Sequence, residues 1–214
     1  MGKCSTPDYS SGNKLEARFE TIIKTYKHLF GKDSLCPTRQ YYTMCAEHIG
    51  PDGIIKGSEL EHLTRLNFLK PEQFYGIDLK EDVIQKAQSY IPEANWIHGE
   101  FTNVLADKRA LGDFNPAIIN CDTIYMAKRA GFLVGHTLRN VMLCSNVMVV
   151  ANIIKNQRSK NQDKQEVMND LCRDLTFLDM IHNEFQVLDE CYIYGGSNSR
   201  AKTEMITLIF YKKD

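Results

Sequence analysis

Along residues 15–30, apolar side chains return every three or four positions (Leu15, Phe19, Ile22, Ile23, Tyr26, Leu29). That period predicts an amphipathic helix, and Gly31 follows where a helix-terminating glycine would stand. Residues 39–45, RQYYTMC, are short and aromatic and read as a strand. Gly50, Pro51, Gly53 and Gly57 then punctuate a loop or a small hairpin. Ser58 is placed to cap a helix over residues 59–67, with Glu61 three positions on as in a capping box.

From there strands and helices alternate. Residues 74–79, FYGIDL, form a short apolar strand, and residues 80–90 put Val83, Ile84, Ala87 and Tyr90 on one helical face before Pro92. A strand begins at residues 95–97 and reaches the His98-Gly99-Glu100 turn, and a helix follows over 102–111. Residues 116–121, PAIINC, read as a buried strand, 126–144 as mostly helix, and 146–154, NVMVVANII, as the most apolar strand. One helix is expected over 166–181, with Val167, Leu171, Leu175, Leu178 and Ile181 on its inner face. Strands at 185–194 and 204–212 close the chain, joined by GGSNSRAK. Strands separated by helices imply βαβ units, hence an α/β three-layer sandwich around a mostly parallel sheet. The last two strands share a loop too short for a parallel crossover and must pair antiparallel. Residues 1–13 read as a polar, mobile tail and residues 14–214 as one domain.

Composition narrows the function classes. Apolar residues make up 43% and charged residues 25% of 214, a globular balance that excludes disorder or coiled coil for the whole chain. The formal charge of −1 excludes a protein that coats nucleic acid by overall charge, though not a local basic patch. The seven cysteines show no C-x-x-C pair, and no two histidines stand at H-x-x-x-H spacing. Neither a metal site nor a disulfide scaffold is therefore expected. Cys144 and Cys191 lie in apolar runs, as small buried hydrophobes would in a reducing cytoplasm. The opening segment has no apolar core of a secretory signal, although Met-Gly-x-x-x-Thr fits the N-myristoylation pattern at Gly2. No apolar run is long enough to span a membrane.

The order of elements and the residues at the strand ends resemble the class I, Rossmann-like, S-adenosylmethionine-dependent methyltransferases, over about residues 39–213. The segments YGIDL, NW-x-x-GEF and FNPAIINCD are also similar to uncharacterised methyltransferase-like proteins of phages. The family resemblance implies a seven-stranded sheet in which strand seven lies antiparallel between strands five and six. It implies S-adenosylmethionine as cofactor and assigns residues to it. The loop after strand one would approach the cofactor closely. Here that loop holds Cys45 and Glu47, and its glycines come late, so the family's acid-x-Gly-x-Gly-x-Gly signature is missing. Gly57, 21 residues before Asp78, is near the offset of about 20 between a glycine turn and a ribose-binding acid. An ordinary surface loop is the competing reading of the same stretch.

Asp78, with Leu79 beside it, ends strand two, where a carboxylate would take both ribose hydroxyls; an acid there also suits a helix cap. Glu100 would accept the adenine amino group and Phe101 would pack on the purine, unless Glu100 is a surface acid and Phe101 core. Strand four ends in Asn120-Cys121-Asp122-Thr123-Ile124-Tyr125, facing the transferred methyl group in this fold. Asn120 and Asp122 are candidates to orient a nucleophile or accept a proton, and Tyr125 to stack on a flat acceptor. Cys121 lacks the preceding proline of cytosine-C5 enzymes and reads as a buried thiol.

Ligands of parallel α/β sheets sit beyond the carboxyl ends of the strands. Two basic loops leave that edge: one with Lys155, Arg158, Lys160 and Lys164, the other with Arg200 and Lys202. Arg158, Lys160, Arg200 and Lys202 are the candidate contacts to a phosphate-bearing substrate, nucleic acid being favoured; solvated surface lysines are the plain alternative. Two readings of function remain open at this point. One is a methyltransferase acting on an unidentified acceptor. The other is a non-catalytic Rossmann-like phage accessory or interaction protein that kept the sheet and lost the cofactor loop.

Overall fold

The computed structural model describes residues 14–44, 49–50, 53–54, 59–154, 163–189, 192–195 and 204–214. The chain divides into two compact units, one of residues 15–119 and one of residues 120–214 with Lys14. In the first, helix α1 (Lys14–Phe30) packs Phe19 against His62 and Tyr26 edge-on against Phe68. Gly31 donates its N–H to the Lys27 carbonyl and ends the helix as the spacing predicts. Strand β1 (Gln40–Thr43) is buried along its whole length. Strands β2 (Ile49–Gly50) and β3 (Gly53–Ile54) pair antiparallel, so the glycine-punctuated stretch contains a two-stranded hairpin. Helix α2 (Glu59–Arg65) and a single 3-10 turn (Pro71–Gln73) lead into β4 (Phe74–Asp78), then α3 (Glu81–Tyr90), β5 (Asn95–His98) and α4 (Phe101–Ala110). β4 lies parallel to both β1 and β5. Tyr41 stacks on Phe74 and Tyr42 on Tyr75, so aromatic cross-strand pairs fix that register.

Strand β6 (Pro116–Met126) crosses from the first unit into the second. It is longer than the 116–121 strand expected from sequence, because the apolar run Pro116–Cys121 is only its buried amino-terminal half. The rest of the second unit is α5 (Ala127–Val141), β7 (Val147–Ile154), α6 (Lys164–Leu171), α7 (Leu175–Asn183), β8 (Gln186–Val187), β9 (Tyr192–Gly195) and β10 (Glu204–Lys212). Two expectations are corrected here. The single helix over 166–181 is two helices. Asp174 accepts hydrogen bonds from the backbone N–H groups of Thr176 and Phe177 and starts α7 afresh, as an N-cap does. Leu175, counted on the inner face, is 79% exposed. The single strand over 185–194 is also two pieces. Val187 pairs with Phe210 and Tyr192 with Thr207, and Leu188 and Asp189 belong to neither strand.

The main sheet runs in the order β5-β4-β1-β6-β7-β10-β8, with β9 also on β10. β10 pairs antiparallel with β7 on one side and with β8 and β9 on the other. The α/β sandwich with a mostly parallel sheet and an antiparallel carboxyl-terminal hairpin is therefore the observed fold, with strand seven between strands five and six. Among the described residues, no helix is long and apolar enough to cross a membrane.

Candidate functional site

In the first unit, the register Asp78↔His98 brings the carboxyl ends of β4 and β5 side by side. The Gly99 N–H donates to the Asp78 carbonyl at 3.0 Å, and the His98 ring lies 3.0 Å from the Leu79 carbonyl. Gly99 takes φ +157°, and a Cβ there would stand 2.8 Å from a Val104 methyl carbon. The turn that joins β5 to α4 thus requires glycine.

Two carboxylates flank this turn. Asp78 accepts the Lys80 N–H on Oδ1 at 2.8 Å, a local turn that holds the acid upright before α3. Glu100 caps α4: its Oε2 accepts the Asn103 N–H at 2.9 Å and the Thr102 hydroxyl at 2.6 Å. Both acids are partly exposed. Each is anchored through one oxygen, and the other oxygen accepts no hydrogen bond from a described residue. A carboxylate has about four lone-pair sites, so each acid keeps capacity for a hydroxyl or amino donor. Capping leaves the adenine reading of Glu100 open, because a cap and an outward acceptor can share one side chain. Phe101 is 3% exposed and belongs to the core, so the purine contact expected of it is not available from its position. The exposed apolar side chain at these strand ends is Leu79, 69% open.

A third carboxylate in this unit escaped the sequence reading. Glu59, in the first turn of α2, is 2% exposed. It accepts the Tyr41 hydroxyl and, at 2.9 Å, the Thr43 hydroxyl, so it joins the carboxyl end of β1 to α2. The helical spacing carries a signal for this burial. Glu59 stands three and four positions before His62 and Leu63, both buried, and so lies on the inner stripe of α2. Cys45, Glu47 and Gly57 lie outside the described residues.

In the second unit, Asn120 and Asp122 stand on β6, two residues apart and on one face of the strand. Asn120 is fully buried and accepts the Asn152 amide at 3.0 Å; Asp122 is partly exposed. Tyr125 is on the same strand. All three are strand residues: Asn120 lies in the strand expected from sequence, and Asp122 and Tyr125 lie in its continuation beyond residue 121. Cys121 points to the opposite face, and its thiol lies 3.6 Å from the Thr137 hydroxyl. Burial pushes the thiol up to about 12, with the Thr137 contact a smaller opposing influence. Cys121 is a neutral buried thiol, as its sequence context suggested.

Arg158, Lys160, Arg200 and Lys202 lie outside the described residues. Lys164, counted among the same basic loops, starts α6 and gives its ammonium to the carbonyls of Leu188 and Asp189 at 2.6 and 3.0 Å. Asp163 caps that helix by accepting the Glu166 N–H. Among the described residues no group of three or more histidine, cysteine or acidic side chains could hold a metal ion.

No family model matches the sequence, and no curated protein is similar to it. Solved structures share the fold. The MTase domain of METTL16 superposes with a TM-score of 0.55 at 10% identity, over 99% of this chain and 74% of that one. An O-methyltransferase from Bacillus cereus in complex with SAH gives 0.51 at 11% identity, over 96% and 84%. The type IIG restriction endonuclease BpuSI gives 0.56 at 13% identity over 95% of this chain, which spans 25% of that enzyme's length. At such identities the likeness is one of fold.

Proposed function

We propose that this chain binds S-adenosylmethionine and transfers its methyl group to an acceptor, nucleic acid in preference to a small molecule. The observation that carries the reading is the pair of half-anchored carboxylates, Asp78 and Glu100, at the adjacent carboxyl ends of parallel strands. Parallel α/β sheets bind ligands at such ends, and the fold is shared with the methyltransferases above. The donor set fits a nucleoside. Asp78 can accept two ribose hydroxyls, Glu100 an exocyclic amino group, and exposed Leu79 offers apolar surface to a purine.

The cofactor, when bound, supplies an activated methyl group on a sulfonium and with it the hard part of the chemistry. The protein's share is binding and orientation. Asp78 and Glu100 fix the nucleoside, the Glu59 carboxylate holds the end of β1, and Cys45, Glu47 and Gly57, which lie between β1 and α2 in the sequence, are assigned to the cofactor. Asn120, Asp122 and Tyr125 on β6 are assigned to the acceptor. Arg158, Lys160, Arg200 and Lys202, in the segments that follow β7 and precede β10, are assigned to substrate phosphates.

The alternative, a non-catalytic interaction protein, draws support from the β2–β3 hairpin, which stands where the family has a tight glycine turn. One experiment separates the two. Titration with S-adenosylhomocysteine by calorimetry should give saturable heat that falls at least tenfold in affinity in Asp78→Ala. No heat at millimolar ligand leaves the interaction protein as the reading, and binding indifferent to Asp78→Ala removes the site assignment. On immobilised single-stranded nucleic acid, wild type should be retained at low salt and released as salt rises. Failure of that arm alone would leave methyl transfer to another acceptor.

A further inference from the structure

Helix α5 of the second unit has three faces. Ala130, Leu133, Val134 and Leu138 are buried. Gly131 and Gly135 admit the close approach of neighbouring backbone: a Cβ at Gly131 would stand 2.9 Å from the Leu171 carbonyl oxygen, and one at Gly135 2.6 Å from the Phe177 nitrogen. The third face is a stripe at helical spacing, Arg129, Phe132, His136 and Arg139. The two arginines and Phe132 are exposed, and His136 is half-buried. Phe132 is 59% open, and its ring centre lies 4.3 Å from that of His136. A pair of touching rings is thus framed by one arginine three residues before it and another three residues after it.

The stripe begins at the carboxyl end of β6, since Ala127 follows Met126 directly. That strand carries the residues assigned to the acceptor, and parallel α/β sheets bind ligands at this edge. Charge selects the partner. The sequence of α5 contains Lys128, Arg129, His136 and Arg139 and no acid. Asp174, whose Cβ would lie 3.1 Å from a Cβ at Gly131, turns its carboxylate to the N–H groups of Thr176 and Phe177. A two-fold contact between copies would set this face against itself, arginine against arginine, with no acid on the helix to offset them. Rings between cations suit a chain that carries flat groups and negative charges in alternation.

We propose that the outer face of α5 is a docking surface for single-stranded nucleic acid. Phe132 and His136 stack on unpaired bases, and Arg129 and Arg139 take phosphates on either side. The arginines are ten residues apart, about 15 Å along the helix, so the surface grips a short run of strand and leads it toward the end of β6. A duplex stacks its base faces on one another, so unpaired strand is the form selected. The inference rests on the nucleic-acid acceptor proposed above and gives it a contact surface among the described residues.

The test is fluorescence anisotropy at low salt with two labelled strands of equal length, an oligothymidylate and its abasic counterpart. Phe132→Ala should weaken oligothymidylate binding about fivefold or more and leave the abasic strand unaffected; Phe132→Tyr should restore the loss. Arg129→Gln should weaken both strands and lower the slope of log affinity against log salt by about 0.7. Both side chains are exposed, so circular dichroism should show a native fold in each variant. Equal weakening of the two strands by Phe132→Ala would overturn the stacking surface. Binding indifferent to both substitutions would overturn it too, while sparing a nucleic-acid acceptor held elsewhere. Wild type that bound neither strand would overturn the surface and the nucleic-acid preference together. Self-association in sedimentation that Phe132→Ala abolishes, with strand binding unchanged, would give the face to a second copy and overturn the proposal. Titration with S-adenosylhomocysteine separates this surface from methyl transfer: the predicted strand binding without cofactor binding would support the surface and sink the transfer.

Discussion

Gly76→Ala should destabilise the protein through one identifiable collision. Gly76 pairs with Trp96 across β4 and β5, and the indole lies over the glycine. A Cβ at Gly76 would stand 2.4 Å from Trp96 Cζ3 and 2.5 Å from Cε3, well inside contact distance. The indole has no easy retreat. Its Nε1–H donates to the Ile91 carbonyl at 2.9 Å, and its ring meets Phe74 edge-on at 5.7 Å. Overpacking of this kind costs about 1–3 kcal/mol. Loss of the indole hydrogen bond adds about 0.5–1.5 kcal/mol. The stiffer unfolded chain returns about 0.4–1 kcal/mol. The net is a loss of about 2 kcal/mol. Trp96 is the only tryptophan, so urea unfolding followed by its fluorescence reads both stability and the displaced ring. The midpoint should fall and the native emission should shift to longer wavelength. The same two strands carry Asp78 and lead to Glu100, so affinity for S-adenosylhomocysteine should fall as well. A variant with wild-type midpoint and wild-type emission would refute the packing argument. So would a loss that remained undiminished in a Trp96→Ala background, with unfolding there followed by far-ultraviolet circular dichroism, since contacting sites should not be additive.

Two further outcomes follow from buried groups. Glu59→Ala removes the acceptor of the Tyr41 and Thr43 hydroxyls and should cost about 1.5–3 kcal/mol in chemical denaturation, as hydrogen bonds to charged groups do; Glu59→Gln, which keeps an acceptor oxygen, should lose less, and equal losses would count against the hydrogen-bonding role. Cys121 should resist thiol reagents in the native state while the half-buried Cys36, Cys144 and Cys172 react. The raised Cys121 thiol also has a definite pH sign. Below its ordinary value of 9.0 both states hold the proton and nothing changes. Between there and the folded value of about 12 the unfolded chain sheds the proton that the folded chain keeps, so stability falls as pH rises. Urea midpoints from pH 8.5 to 10.5 should therefore drop more steeply in wild type than in Cys121→Ala; parallel curves would show that the thiol contributes no slope.

The alternation of periods along the chain determined the sandwich, because a strand's two-residue and a helix's 3.6-residue repeat are local properties of the sequence. So were the acids at strand ends. Asp78 and Glu100 are legible because Asp78 ends an apolar strand, Glu100 stands two residues past the next strand, and each comes just before a helix. Leu175 shows where local pattern fails. It has helical spacing from Leu171 and Leu178, yet Asp174 captures two backbone N–H groups, restarts the helix and leaves Leu175 in solvent. The carboxyl half of β6 was illegible for a related reason. Thr123, Ile124 and Tyr125 suit a strand, but Asp122 interrupts the apolar run and reads locally as a turn or helix cap. Tertiary structure alone decided what Glu59, Asn152 and Thr207 do. Glu59 meets hydroxyls 16 and 18 residues away, while Asn120, Asn152 and Thr207 join across separations of 32 and 55. A polar side chain in an apolar run reads in sequence only as an anomaly. Its partner is chosen when the sheet closes, because leaving a buried hydrogen-bonding group unmatched costs more than the register that matches it.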